Sequence, residues 1–247
     1  MNTCVQCLLS IPELNNFFME QQYKTESKNP KKNFPACNAI KDLIENYSGE
    51  SDKYLKPPGS LYKVCHSFLE ANTQHDCQVY YAIIYKEFLR RLLGKIQEEL
   101  NMNKKYTIPD KISLTDYWRI YKEHNPSFID NMFTGLMRSS VICHKCEHES
   151  GMQYYSSPDT YDPFLDISLP IERKTRSLMQ CFDIYFAKED INCEYKCESC
   201  KKKTSITKKL EIVISPSILT LHIKRFEDFA HKFNGPIDFK YNIDITK

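Results

Sequence analysis

Two Cys-x-x-Cys turns, Cys143/Cys146 and Cys197/Cys200, constrain this chain more than any other feature in it. Tetrahedral zinc takes four soft ligands at about 2.3 Å, and a two-residue spacer lets both thiolates of one turn face the same ion. Each turn therefore supplies half of a four-thiolate site. The turns lie about 50 residues apart in the chain, well beyond the roughly 15 to 20 of a compact zinc ribbon. The intervening residues must leave the metal, build structure elsewhere and return. With 11 Cys in 247 residues, chance supplies about half of one such pair, so the alternative is four buried or free thiols. Cys193 is a further candidate ligand, but its offset from Cys197 suits the two-residue turn less well.

Composition narrows the rest. A content of 41% hydrophobic residues, 13% of the chain being aromatic, can fill a core over 247 residues. Lys and Arg number 34 against 32 Asp and Glu, a net charge of +2. No overall field therefore argues for direct binding to nucleic acid or to a membrane surface. No stretch approaches the roughly 18 apolar residues of a membrane span, and the N-terminus lacks the pattern of a secretory signal. The expected setting is intracellular and reducing, nuclear or cytoplasmic. There, cysteines in paired spacing point to metal or catalysis more than to disulfides.

The first half has helical periodicity. Val5, Leu8 and Leu9, then Leu14, Phe17 and Phe18, recur on either side of Pro12, which starts or bends a second helix. Lys24 to Pro35 is polar and predicted as a solvated loop. Ala36, Ile40, Leu43, Ile44 and Tyr47 mark a helix ended by Ser48 and Gly49, and Leu61, Val64, Cys65, Phe68 and Leu69 mark another. The longest helix is expected from Asp76 to Leu100 on a stripe of Tyr81, Ile84, Phe88, Leu92, Ile96 and Leu100. Ser113–Tyr121 and Phe128–Leu136 are short helices, with Trp118 and Phe133 as buried anchors.

The second half changes period. Strands are expected at Ser139–Ile142 and Met152–Tyr155, and at Phe164–Leu169, entered through Pro163. A single helix follows at Leu178–Tyr185. Thr204–Ile214 and Ile218–Phe226 are strands, the latter alternating Leu219, Leu221 and Ile223 with Thr220, His222 and Lys224. Tyr241, Ile243 and Ile245 repeat that alternation.

Several strings, in order along nearly the whole chain, resemble the ubiquitin-specific protease family of cysteine deubiquitinases. Phe128–Cys143 resembles the segment leading into that family's first zinc turn, and Asp162-Pro-Phe-Leu-Asp-Ile-Ser-Leu169 its palm strand. Leu178–Phe186 resembles the helix before the second turn. Pro216–Phe226, ending Ile-Lys-Arg-Phe, resembles the palm strand that ends in Leu-Lys-Arg-Phe. Phe133-Thr-Gly135 and Asp162–Leu169 most resemble the histone-deubiquitinating subunit of the coactivator complex SAGA. The resemblance implies an α+β, papain-like thumb-palm-fingers fold, helical in its N-terminal half and mainly antiparallel β in its second. One such domain would span 1–247, with a helical thumb part over 1–136 and fingers and palm over 137–247. It implies a structural zinc on Cys143, Cys146, Cys197 and Cys200, because four thiolates leave no position open for water or substrate. It also implies ubiquitin, a ubiquitinated protein such as histone, and subunits of a coactivator complex as partners.

Catalysis in this family needs a cysteine thiolate, a histidine and an Asn or Asp that orients it. Asn2-Thr3-Cys4 looks like the nucleophile box, but Gln6, Leu8, Pro12 and Leu14 fit the run downstream of that box. In this register the nucleophile precedes Met1, and Cys4 and Cys7 are packing residues. The histidine box, a Tyr-x-Leu run leading to His-x-Gly, is not found before Lys247. His222 and His231 lack its context. No catalytic residue is therefore assigned, and the chain is expected to be truncated at both ends. A third departure is Gln74-His-Asp-Cys-Gln-Val-Tyr-Tyr81, where Gln78 and Val79 stand in place of the family's His and Glu. Three hypotheses follow: a truncated isopeptide-cleaving deubiquitinase, a catalytically inactive ubiquitin-binding relative or scaffold, or a zinc module that binds nucleic acid. The last leans on Lys196, Lys201, Lys202, Lys203, Lys208 and Lys209, although a lysine run is usually a solvated face.

Overall fold

A computed structural model describes residues 2–28, 33–47, 59–66, 77–101, 106–109, 112–146, 159–225 and 232–245; for 2–5, 47, 62, 65–66, 77–88 and 193 the description is of backbone alone. The expected features at Gln74–Asp76, Met152–Tyr155, Phe226 and His231, and the side chains of Cys4, Gln78 and Val79, lie outside it. The chain divides into two compact units, Met1–Tyr106 with Lys122–Asn131, and Thr107–Tyr121 with Met132–Lys247.

The first unit is helical. It holds α1 (Asn2–Leu9), α2 (Pro12–Met19), α3 (Gln22–Glu26), α4 (Pro35–Tyr47), α5 (Gly59–His66) and α6 (Cys77–Leu100). Pro12 occupies the first turn of α2, where its missing N–H costs nothing. Leu8, Leu14, Phe17, Phe18, Ile40, Leu61, Leu92, Ile96 and Ile129 are buried, and Phe17 stacks on Phe128 with ring centroids 4.2 Å apart. Two expectations fail here. The stretch expected as a loop from Lys24 begins inside α3, because Tyr23 is fully buried and bonds to Asn38 at 2.6 Å. Cys7 is exposed rather than packed.

Two buried carboxylates tie this unit together. Glu99, near the end of α6, accepts the N–H groups of Ala36 at 2.7 Å and Cys37 at 3.0 Å, capping the first turn of α4 from another helix. Burial raises its pKa above the usual glutamate value of 4.5, although the two N–H bonds pull the other way. A group whose native pKa is raised favours folding below its unfolded pKa, and that advantage is lost as pH climbs through the native value. Stability should therefore fall, relative to a Glu99→Gln variant, as pH rises above about 4.5. Urea melts of both proteins across acidic to neutral pH check this; parallel curves would refute it.

Asp130 is 1% exposed and accepts from Gln97 Nε2 and Asn101 Nδ2, each at 2.8 Å, and from the Ser127 hydroxyl. Asn101 in turn accepts the Ser127 N–H at 3.0 Å. Asp130→Ala would strand two buried donors and one half-buried donor, at a cost of roughly 3 to 5 kcal/mol. Denaturant unfolding measures the loss, and a change under about 1 kcal/mol would contradict the network's importance.

Among the described residues, the second unit contains α7 (Leu114–His124), most of whose length lies in it, the end of α8 (Phe128–Phe133), α9 (Leu178–Tyr185) and six strands. These are β1 (Gly135–Cys143), β2 (Thr160–Phe164), β3 (Ile167–Pro170), β4 (Glu189–Lys196), β5 (Lys203–Ile214) and β6 (Leu221–Lys224). One antiparallel sheet has the order β2-β1-β5-β4, and β3 pairs in parallel with β6. Met137, Ile167, Leu169, Leu178, Cys181, Phe182 and Ile237 form a core against which Leu210, Ile212, Leu221 and Ile223 pack. Ser177 starts α9 with a capping box, accepting the Gln180 N–H while the Gln180 side chain accepts the Ser177 N–H.

Several boundaries differ from expectation. The helix expected to reach Leu136 stops at Phe133, and Gly135 opens β1 because any Cβ there would meet Phe164 at 2.4 Å. The single strand expected over 164–169 is two, β2 and β3, broken at 165–166, and Pro163 sits within the edge strand β2, where its missing N–H is harmless. Strand β4 was not anticipated. The strand expected around Tyr241 does not form: Tyr241 is fully exposed, while Ile243 and Ile245 pack on the core without a ladder. Trp118 is half-buried, stacked on Tyr121 at 5.3 Å.

Candidate metal centre

The register of β1, β4 and β5 brings the two Cys-x-x-Cys turns together. Cys143 ends β1 and pairs with Ile206 of β5, while Cys197–Cys200 form the turn of the hairpin that links β4 to β5. Since β1 and β4 flank β5 on opposite sides, both turns arrive at its start. The residues between the turns build β2, β3, α9 and β4, which accounts for the long spacing.

The four sulfurs lie within 4.8 Å of one another. Cys143 and Cys200 are 3.9 Å apart, and Cys146 and Cys197 are 3.7 Å apart. Four sulfurs each about 2.3 Å from a tetrahedral ion sit about 3.8 Å from one another, so the cage has the size zinc requires. These separations exceed the ~2.05 Å of a disulfide, and all four cysteines are free thiols. Cys143, Cys146 and Cys197 are buried and Cys200 is half-exposed.

Backbone groups shape each turn around its leading sulfur. The Cys146 N–H points at the Cys143 sulfur at 3.4 Å, and the Cys200 N–H at the Cys197 sulfur at 3.5 Å. The second turn is closed by Lys201 N–H to Cys197 C=O at 2.9 Å and Cys197 N–H to Lys202 C=O at 3.0 Å, with Lys201 at φ 58°. That left-handed residue reverses the chain into β5. Burial, with help from the neighbouring sulfurs, pushes the Cys146 thiol up to about 12. At Cys197 burial also opposes ionisation, but N–H groups of Cys200 and Ser199 and the thiols of Cys143 and Cys200 outweigh it and bring the pKa down to about 7.

His144 went unnoticed in the sequence. Its Nδ1 lies 2.9 Å from the Ser205 hydroxyl and its Nε2 2.7 Å from that of Thr207, fastening the first turn to β5. Thr207 also donates to Asp190 of β4 at 2.5 Å. A histidine inside a Cys-x-x-Cys turn was the available signal, but nothing local revealed that β5 would face it. Elsewhere, His222 is half-buried on β6, 3.4 Å from the Ser168 hydroxyl, and the backbone of Cys4 lies in α1. Among the described residues, the four cysteines are the one group with the geometry of a metal site.

A profile described as ubiquitin carboxyl-terminal hydrolase matches residues 1–247. Ubiquitin carboxyl-terminal hydrolase 36 of Drosophila melanogaster is 30% identical over 255 residues, which cover 100% of this chain and 22% of that protein. Ubiquitin carboxyl-terminal hydrolase 4 of Eremothecium gossypii is 25% identical over 284 residues, covering 100% of this chain and 31% of that one. The chain thus spans less than a third of these curated relatives. Among solved structures, a yeast SAGA DUB module superposes with TM-score 0.67 at 23% identity, over 97% of this chain and 49% of the matched one. A SAGA Ubp8/Sgf11/Sus1/Sgf73 DUB module bound to ubiquitin aldehyde gives 0.64 at 22% identity, with the same coverage. That likeness is one of fold.

Proposed function

The chain belongs to the ubiquitin carboxyl-terminal hydrolase family, and from that premise we propose that it is the ubiquitin-gripping part of a cysteine deubiquitinase domain. The observation that carries this is the convergence of Cys143, Cys146, Cys197 and Cys200 into a zinc-sized cage at one end of the β1-β5-β4 sheet, within a chain matched by the family from end to end. Zinc held there supplies no chemistry to substrate; it fixes the two turns. Its partners are ubiquitin and a ubiquitinated protein. The fold likeness to a SAGA module bound to ubiquitin aldehyde supports ubiquitin and a SAGA-like complex by analogy, and a histone conjugate and a nuclear setting rest on the resemblance of Phe133–Gly135 and Asp162–Leu169. No helix among the described residues is long and apolar enough to cross a membrane.

In this proposal residues 1–247 form one deubiquitinase domain in which no residue is assigned as nucleophile or catalytic histidine. The second reading is an inactive relative that still binds ubiquitin, favoured by Gln78 and Val79 standing where the family has His and Glu. Titrating ubiquitin into the zinc-loaded chain tests both. Saturable one-to-one binding supports them, and absence of binding with zinc in place would refute them. Reading the coding sequence on either side for the two catalytic boxes separates one from the other.

A further inference from the structure

The thiol cage is not uniform. Three of its cysteines are buried while Cys200 is half-exposed, and within a cage whose sulfurs all lie within 4.8 Å of one another Cys200 faces Cys143 of the other turn at 3.9 Å. Building on the zinc assignment above, we propose that Cys200 is an oxidation site for hydroperoxides and that Cys143 is its resolving thiol. Sulfur oxidation follows thiolate character and access, and Cys200 is the ligand that solvent reaches.

The chemistry balances with one peroxide. The Cys200 thiolate attacks one oxygen of the O–O bond, which breaks; hydroxide leaves, takes up a proton as water, and Cys200 becomes a sulfenic acid. The Cys143 thiolate then attacks the Cys200 sulfur and displaces its hydroxyl, which leaves as a second water after protonation. Two thiolates, one peroxide and two protons thus give one disulfide and two waters. The sulfurs need close only from 3.9 Å to ~2.05 Å, within reach of side-chain rotation at the turn ends. The two thiolates left, Cys146 and Cys197, no longer offer the four ligands that would hold zinc.

The connectivity gives the step its consequence. A Cys143–Cys200 bond joins positions 57 apart in the chain, so the two turns remain fastened after the metal has gone. A metal clasp is exchanged for a covalent one. Cys7, exposed and outside the cage, is the internal control, since its oxidation releases no zinc.

The experiment treats the zinc-loaded chain with hydrogen peroxide, follows zinc with a chromogenic chelator, and maps disulfides by non-reducing peptide mass spectrometry. The expected result is zinc release together with a Cys143–Cys200 linked peptide. Cys200→His keeps three thiolates and an imidazole, a ligand set zinc accepts, and should release zinc roughly tenfold more slowly. Cys143→His should leave Cys200 as a sulfenic acid captured by dimedone. Disulfides within each turn, Cys143–Cys146 and Cys197–Cys200, or unslowed release from Cys200→His, would overturn the proposal. If the protein carries no zinc before peroxide is added, the zinc assignment fails by itself, and the disulfide map still decides the oxidation site.

Discussion

Replacing Cys197 with Ser should abolish stoichiometric zinc and loosen the whole meeting point of β1, β4 and β5. Cys197 is fully buried, its sulfur accepts the Cys200 N–H, and it faces Cys146 at 3.7 Å. A hydroxyl is a poor substitute for a thiolate on a borderline-soft ion. Zinc binding in small modules is worth roughly 10 to 16 kcal/mol, and a domain of this size, with a packed core elsewhere, converts part of that into stability. The expected outcome is loss of metal by elemental analysis, a clear drop in Tm, and fast amide exchange at the start of β5. Chelation of the unmodified protein should reproduce all three. The core of Ile167, Leu169, Leu178 and Phe182 should keep its protection, because it packs without help from the sulfurs. An unchanged Tm with zinc removed would show that the sheet does not depend on the metal.

The second large effect concerns turnover. It follows from the proposal that the nucleophile and histidine boxes of the family are not among these 247 residues. Loss of nucleophile and base together costs on the order of a millionfold. The chain should therefore bind ubiquitin yet leave a fluorogenic ubiquitin substrate uncleaved, with release indistinguishable from the buffer rate. Turnover above background that disappears in Cys4→Ala would reverse the register by which Cys4 was set aside and make it the nucleophile.

Much of this could be read from the residues because local signals and tertiary demands agreed. The two-residue spacers fixed which sulfurs belong together, and the alternation over Thr204–Ile214 became β5. Leu178–Tyr185, opened by Ser177 and Gln180, became α9. Where the two kinds of signal diverged, expectation failed. Strand β4 has the sequence EDINCEYK, in which Ile191 and Tyr195 are only half-buried, so it shows almost no apolar period. It exists because β5 offers an open edge and the second turn folds it back. Tyr241, Ile243 and Ile245 show the opposite failure, an alternating pattern with no ladder, since two of them pack on the core and Tyr241 faces solvent. The helix that Phe128-Ile-Asp-Asn-Met-Phe begins ends where Gly135 must admit the Phe164 ring, a contact made across the sheet and invisible to any local window. His144 belongs to the same class: its partners Ser205 and Thr207 are some sixty residues away.

The candidate site was legible for the same reason that its occupancy is testable. The proposal for this end of the sheet is that four distant sulfurs share one ion, and zinc K-edge X-ray absorption on the purified chain reads that shell directly. The expected spectrum is a single shell of four sulfurs at about 2.3 Å, one zinc per chain. A shell containing nitrogen or oxygen ligands, or no zinc after purification without chelators, would contradict the account.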